Sequence, residues 1–87
     1  MKQETSNMRR SLHTIAEDIR QNWKKVSMYA EPYLEAMEQL DRITDNYYLD
    51  SAESVVLYFL SNASGWRGQK AREIKAELKS MLNDLNR

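Results

Sequence analysis

Apolar residues recur at three- and four-residue spacing along nearly the whole chain. Met8, Leu12, Ile15, Ala16, Ile19, Trp23, Val26 and Ala30 fall, at about 100° per residue, within an arc of roughly 100°, which predicts one amphipathic first helix. Ser6 is a candidate cap for it, and Thr14 followed by Glu17 is a capping-box pattern for a shorter version. The first five residues are expected to be frayed. Pro32 lacks an N–H and clashes with a preceding turn, yet suits the first position of a new helix. A corner is therefore expected at Tyr29 to Glu31, and a second helix from Pro32 to about Thr44 that buries Tyr33, Ala36, Met37, Leu40 and Ile43. Asp45, Asn46 and Tyr47 end it.

Asp50 followed by Glu53 reads as a capping box and places a third helix at about Ser51 to Ala63. Val55, Val56, Leu57, Tyr58, Phe59 and Leu60 leave that helix without a polar face, which predicts a central position among the others. Asn62 to Gly65 form the next break. Ser64 is a cap candidate for a last helix that reaches about Leu85, with Ala71, Ile74, Leu78, Met81, Leu82 and Leu85 as its core stripe. The expected fold is all-α, a compact bundle of about four helices with a central apolar third helix. Residues 1–20 read as an N-terminal extension that continues into the first helix, and residues 21–87 as the bundle domain.

Composition narrows the function classes. In a chain of 87 residues, folding removes roughly 60 to 65% of the accessible area, which leaves a core and no room for a deep catalytic cavity. With no cysteine there is no disulfide framework, thiol nucleophile or sulfur-based zinc site. The longest apolar run, Val55 to Leu60, is far short of the roughly 20 residues that span a bilayer, and residues 1–10 lack the apolar stretch of a signal peptide. A soluble, cytoplasmic protein is expected. His13 is the only histidine and projects to the edge of the first helix among Arg9, Arg20 and Lys24, so it reads as a solvated side chain rather than a catalyst or ligand. The stretch from Asp45 to Glu53 lacks the glycine and alternating ligands of a calcium loop. No enzyme activity, metal or cofactor is expected.

Thirteen basic and thirteen acidic side chains cancel in total but are sorted along the chain. Residues 1–25 hold six basic and three acidic groups, residues 26–63 one and seven, and residues 64–87 six and three. In the second helix Glu31, Glu35, Glu38, Asp41 and Asp45 project within roughly 120° of one another, with Leu34 among them and only Arg42 to offset them. An apolar centre with a charged rim is how a small protein interface is built; the other reading is a solvated face whose leucine is covered within the fold. The last helix offers a second surface. Arg72, Lys75 and Lys79 line one flank, Arg67 and Lys70 add charge in the first turn, Gly68 permits close approach of another backbone, and Trp66 is either a lid on the core or a stacking platform. If that flank adjoins Arg9, His13, Arg20 and Lys24 of the first helix, about six cations face phosphates. Five tyrosines are many for this length, and Tyr47 and Tyr48 are the ones expected at the surface.

The segments Y-A-x-P-Y-x-x-A-M from Tyr29, D-N-Y from Asp45 and V-L-Y-F-L-S-N-A-S-x-W-R-G from Val56 resemble small uncharacterised proteins of Gram-positive prophages and conjugative elements. The likeness covers Trp23 to Leu82, and it implies a phage or mobile-element setting in a bacterial cytoplasm while supplying no catalytic residues. It also implies a turn glycine where Tyr48 stands. The leading expectation is thus a non-enzymatic protein that docks on a host or element-encoded protein through the second-helix surface, in one form as an inhibitor of a nucleic-acid-handling or defence machine. The alternatives are a DNA-binding accessory that uses the basic flank, and a self-assembling module in which opposite charges of two copies meet, as in a homodimer. No membrane partner is expected.

Overall fold

Ser11 sets the start of the first helix. Its hydroxyl accepts the amide of Thr14 at 3.2 Å, and the next orphan amides, those of Leu12 and His13, donate to the carbonyls of Asp41 and Leu40, each at 2.9 Å. The cap is therefore Ser11 and not Thr14. The computed structural model of the chain describes residues 9–85, so Ser6, Met8 and the fraying expected of the first residues lie outside it. Among the described residues four helices follow one another, α1 (Leu12–Asn22), α2 (Glu31–Met37), α3 (Ala52–Ser61) and α4 (Gln69–Leu85), with a short antiparallel hairpin of β1 (Asn46–Tyr47) and β2 (Asp50–Ser51) between α2 and α3. The architecture is mostly helical and packed around one core, and the hairpin means that it is not strictly all-α.

Two of the expected helices are shorter than their apolar spacing. α1 ends at Asn22, whose side-chain amide donates to the Asp18 carbonyl at 2.8 Å and so competes with the ladder that would carry the helix on. Trp23 then turns into extended backbone, and residues 23–30 run irregularly to the expected corner, where Ser27 accepts the amides of Ala30 and Glu31. α2 opens as expected, with Pro32 in its first turn, and stops after Met37, well before Thr44. Beyond it the chain tightens, with Gln39 and Leu40 donating to residues three back, because the carbonyls of Leu40 and Asp41 are needed at the start of α1.

The hairpin is joined to α3 without a linker. Ser51 closes the strand pair opposite Asn46 and also caps α3, accepting the amide of Ser54 at 3.1 Å, so the cap lies one residue past Asp50. Asp45 secures the base: its carboxylate accepts the amides of Asp41 and Arg42, and its carbonyl accepts the amide of Ala52. The two-residue loop holds Tyr48 at φ +57, the left-handed region that a bulky side chain rarely adopts.

α3 is not wrapped by the others. Ala52, Val55, Val56 and Phe59 form its buried stripe, while Leu57 and Tyr58 stay about half exposed. The correction has a simple cause: α2 has two turns and α1 stops at Asn22, so too little helix exists to cover a third on all sides. After α3, residues 62–68 bend around buried Ala63 and Trp66. α4 begins at Gln69 rather than at Ser64, after Gly68 at φ +109; added carbon there would meet nothing within 4 Å, so glycine serves the backbone angle and not a close approach. Residues 12, 15, 16 and 19, within the N-terminal twenty, are wholly buried in the same core as α2, α3 and α4.

Candidate functional site

The second-helix surface expected from the sequence does not form. Leu34 has no exposed area and sits in the core with Ala30, Ala36 and Met37. Its misplacement follows in part from the helix length: counting Leu40 and Ile43 as helical drew the centre of the apolar arc away from Leu34 by roughly 20°. The carboxylates are also divided. Arg20 of α1 grips Glu31 with two hydrogen bonds, 2.7 and 3.1 Å, and Glu38 with two more, 2.6 and 3.3 Å, which clamps α1 to α2. Asp45 is occupied at the hairpin base, and only Glu35 and Asp41 keep exposed side chains without an ion pair among the described residues.

A second clamp joins α1 to α4. Arg10 donates to both carboxylate oxygens of Glu77, at 3.1 and 2.7 Å, and to Asp18 at 2.9 Å. Lys70 approaches Asp18 at 3.3 Å, and Arg9 pairs with Asp84. The acidic flank of α4 thus faces Arg9 and Arg10, which lead into α1, while Arg20 of α1 turns to α2, so the two basic edges do not adjoin. A cleft of about 370 Å³ beside Arg9, Arg10 and Arg42 has two of its three guanidiniums already neutralised in this way. His13 is exposed, as its helical projection indicated.

These clamps set a pH dependence. The hydrogen bond from Arg10 holds the Asp18 carboxyl below its ordinary range against the opposing effect of burial, with Lys70 adding to it; Arg20 does the same for Glu31. A depressed folded value means that the unfolded chain takes up protons first as the pH falls. The stabilisation is complete above the unfolded carboxylate range and is lost on descending below about pH 4. Thermal unfolding followed between neutral and acid pH should show a falling midpoint on that limb, and Asp18→Asn should flatten it while lowering the midpoint at neutral pH.

The basic flank of α4 keeps only part of the expected set. Trp66 is 4% exposed and stacks on Trp23, with centroids 5.5 Å apart and planes 8° from parallel, so it is a core lid and not a stacking platform. Lys70 is committed to Asp18, and Arg72 bonds Gln69. Arg67, Lys75 and Lys79 remain together: the Lys75 ammonium donates to the Trp66 carbonyl at 2.7 Å, and its pKa is lowered by burial first and then by the charges of Lys79 and Arg67. None of the three has a carboxylate partner among the described residues.

Two features are apolar and outward, and of their residues the sequence singled out for the surface Tyr48, which is exposed as expected, and Tyr47, which is half-buried. The hairpin tip presents Tyr48, 85% exposed, and Leu49, wholly exposed, with the ring of half-buried Tyr47 edge-on to Tyr48 at 4.8 Å. The other feature is an open groove of about 470 Å³ between α3 and α4, floored by Leu57, Leu60 and Leu82 and edged by Lys79. Tyr58, stacked on Tyr33 at 5.5 Å, continues this apolar surface toward α2. Unbroken apolar residues in α3 were the available signal, since a helix that short cannot bury all of its sides.

Among the described residues no group of three or more histidine, aspartate or glutamate side chains is placed to hold a metal, and no helix is long and apolar enough to cross a membrane. No protein-family model matches the chain, and neither does any curated protein or solved structure.

Proposed function

We propose that this protein is a non-enzymatic binding module, a phage or mobile-element product that docks on a host or element-encoded protein through the hairpin tip. One observation carries the reading: Tyr48 and Leu49 are presented to solvent on a loop whose backbone at Tyr48 is strained for a bulky side chain. A single exposed leucine needs no explanation. A tyrosine held at positive φ beside it, where glycine serves the turn better, points to a side chain kept for contact rather than for the fold. Asp50 and Glu53 follow the tip, and no cation of the described residues pairs with them. An apolar knob with carboxylates behind it suits a pocket with a basic rim, which includes a groove that otherwise holds phosphates, and this keeps inhibition of a nucleic-acid-handling or defence protein as the concrete form of the proposal.

Stability and binding should part company at this loop. Tyr48→Gly is expected to raise stability by about 1 kcal/mol by relieving the left-handed tyrosine, and Leu49→Asp to change it by less than about 0.5 kcal/mol. Both should abolish retention of the partner in affinity capture from host cells. Capture unaffected by Leu49→Asp would overturn the assignment of the tip. A second reading, a DNA-binding accessory, draws on the cluster of Arg67, Lys75 and Lys79; retention on heparin and a salt-sensitive DNA shift, both lost on Arg67→Glu with Lys79→Glu, would support it.

A further inference from the structure

The groove between α3 and α4 asks for an occupant with two properties. Its floor of Leu57, Leu60 and Leu82 takes apolar side chains, and its edge at Lys79, continued by Lys75 and Arg67, takes carboxylates. A nucleic-acid backbone answers the second requirement and not the first, since phosphates gain nothing from a leucine floor. The hairpin tip answers both: Tyr48 and Leu49 project at its end, and Asp50 and Glu53 stand immediately behind them. We propose that the groove receives the hairpin tip of a second copy of this chain. This rests on the reading of the tip as the docking element and names its acceptor.

The tip cannot reach the groove of its own molecule. β2 runs directly into α3, with Ser51 serving as both strand residue and helix cap, so the tip lies beyond the N-terminal end of α3. The groove flanks the other half of that helix, at Leu57, Leu60 and Ser61. Donor and acceptor are thus different surfaces, and the contact is heterologous: each copy gives a tip to one neighbour and a groove to another, so association runs head to tail. Asp50 and Glu53 behind the tip and Lys79 at the edge of the groove place opposite signs on the two surfaces that meet. A tip of two side chains buries far less than the roughly 1,200 Å² of a stable complex, so the contact is weak, builds up with concentration and is screened by salt.

Sedimentation of the full chain from micromolar to millimolar concentration at low salt tests this. The weight-average mass is expected to rise by about twofold or more and to return to that of one chain in molar salt. Leu49→Asp removes the tip and Leu57→Glu the groove; both positions are exposed, so each variant should fold, with circular dichroism as the check. Each alone should sediment as one chain. Their equimolar mixture should give a two-chain species that grows no further, because each supplies the surface the other lacks. Wild-type protein that stays one chain at millimolar concentration overturns the proposal, as does association that survives Leu49→Asp or a mixture that remains monomeric. A monomeric protein whose groove shifts duplex DNA, with the shift lost on Lys79→Glu, overturns it in favour of nucleic acid. A monomer that still captures another protein in a Leu49-dependent way removes the second copy as acceptor and leaves the docking tip intact, whereas insensitivity of both assays to Leu49→Asp removes both.

Discussion

Replacing Leu34 by alanine should destabilise the protein by about 3 kcal/mol, within the roughly 2 to 5 kcal/mol measured for buried leucines elsewhere. In a domain of this size that corresponds to a fall of about 15 °C in the thermal midpoint. The reasons are in the packing: Leu34 is wholly buried, α2 has only seven residues, and its other core contributions are Ala36 and Met37. A two-turn helix has little intrinsic stability and is held by tertiary contacts, so the surroundings have few ways to close the space left behind. Leu34→Met, which preserves volume, should cost less than about 1.5 kcal/mol. Leu34→Glu should leave the chain unfolded. Denaturant titration followed by tryptophan fluorescence separates the three. A loss well below 1 kcal/mol for alanine would mean that the side chain faces water after all and would return the second-helix surface to consideration.

The same residue shows where the sequence could be read and where it could not. The helical class, the corner before Pro32 and the core stripe of α4 follow from local periodicity, because each is decided within a few turns of chain. The lengths of α1 and α2 are decided elsewhere. α1 ends where the Asn22 amide turns back on Asp18 and where Trp23 must reach Trp66, more than forty residues away. α2 ends where its exit carbonyls satisfy the first amides of α1. Neither demand is visible in a helical projection, and both shift the apolar arc that the projection was used to find. The hairpin was missed for a related reason: Tyr48 occupies a turn position normally marked by glycine, so the turn signal was absent from the residues that make the turn.

Charge was legible in amount and sign but not in pairing. The acidic excess of residues 26–63 is real, yet Arg20 neutralises Glu31 and Glu38 by reaching across from α1. Likewise the acidic flank of α4, rather than its basic one, turns toward α1, because Arg10 can hold Asp18 and Glu77 together. Among the described residues, the charges that keep no ion pair include Asp50 and Glu53 behind the tip and Arg67, Lys75 and Lys79 beside the groove. Those residues lie on surfaces that also expose large apolar side chains, and the coincidence of the two properties at both places is what separates them from ordinary solvated charge.

Trp66→Ala should be the most damaging of the single truncations considered, at about 3 to 5 kcal/mol. The ring is buried and stacked on Trp23, whose edge in turn meets Phe59 with centroids 6.2 Å apart and planes 74° apart. Residues 23–30 and 62–68 have no regular secondary structure to hold them, and this aromatic stack is what ties both segments to α3. Removing one member therefore costs the buried area of an indole and also frees the other tryptophan to solvate. Trp66→Phe keeps the apolar contact with less area and should cost roughly half as much. Near-ultraviolet circular dichroism reports the stack directly: its tryptophan signal should collapse in Trp66→Ala under conditions where the far-ultraviolet helical signal persists. Were Trp66 instead a ligand platform, the alanine variant would fold with nearly unchanged stability and lose only binding, so a midpoint within about 5 °C of the wild type would reverse its assignment as a lid.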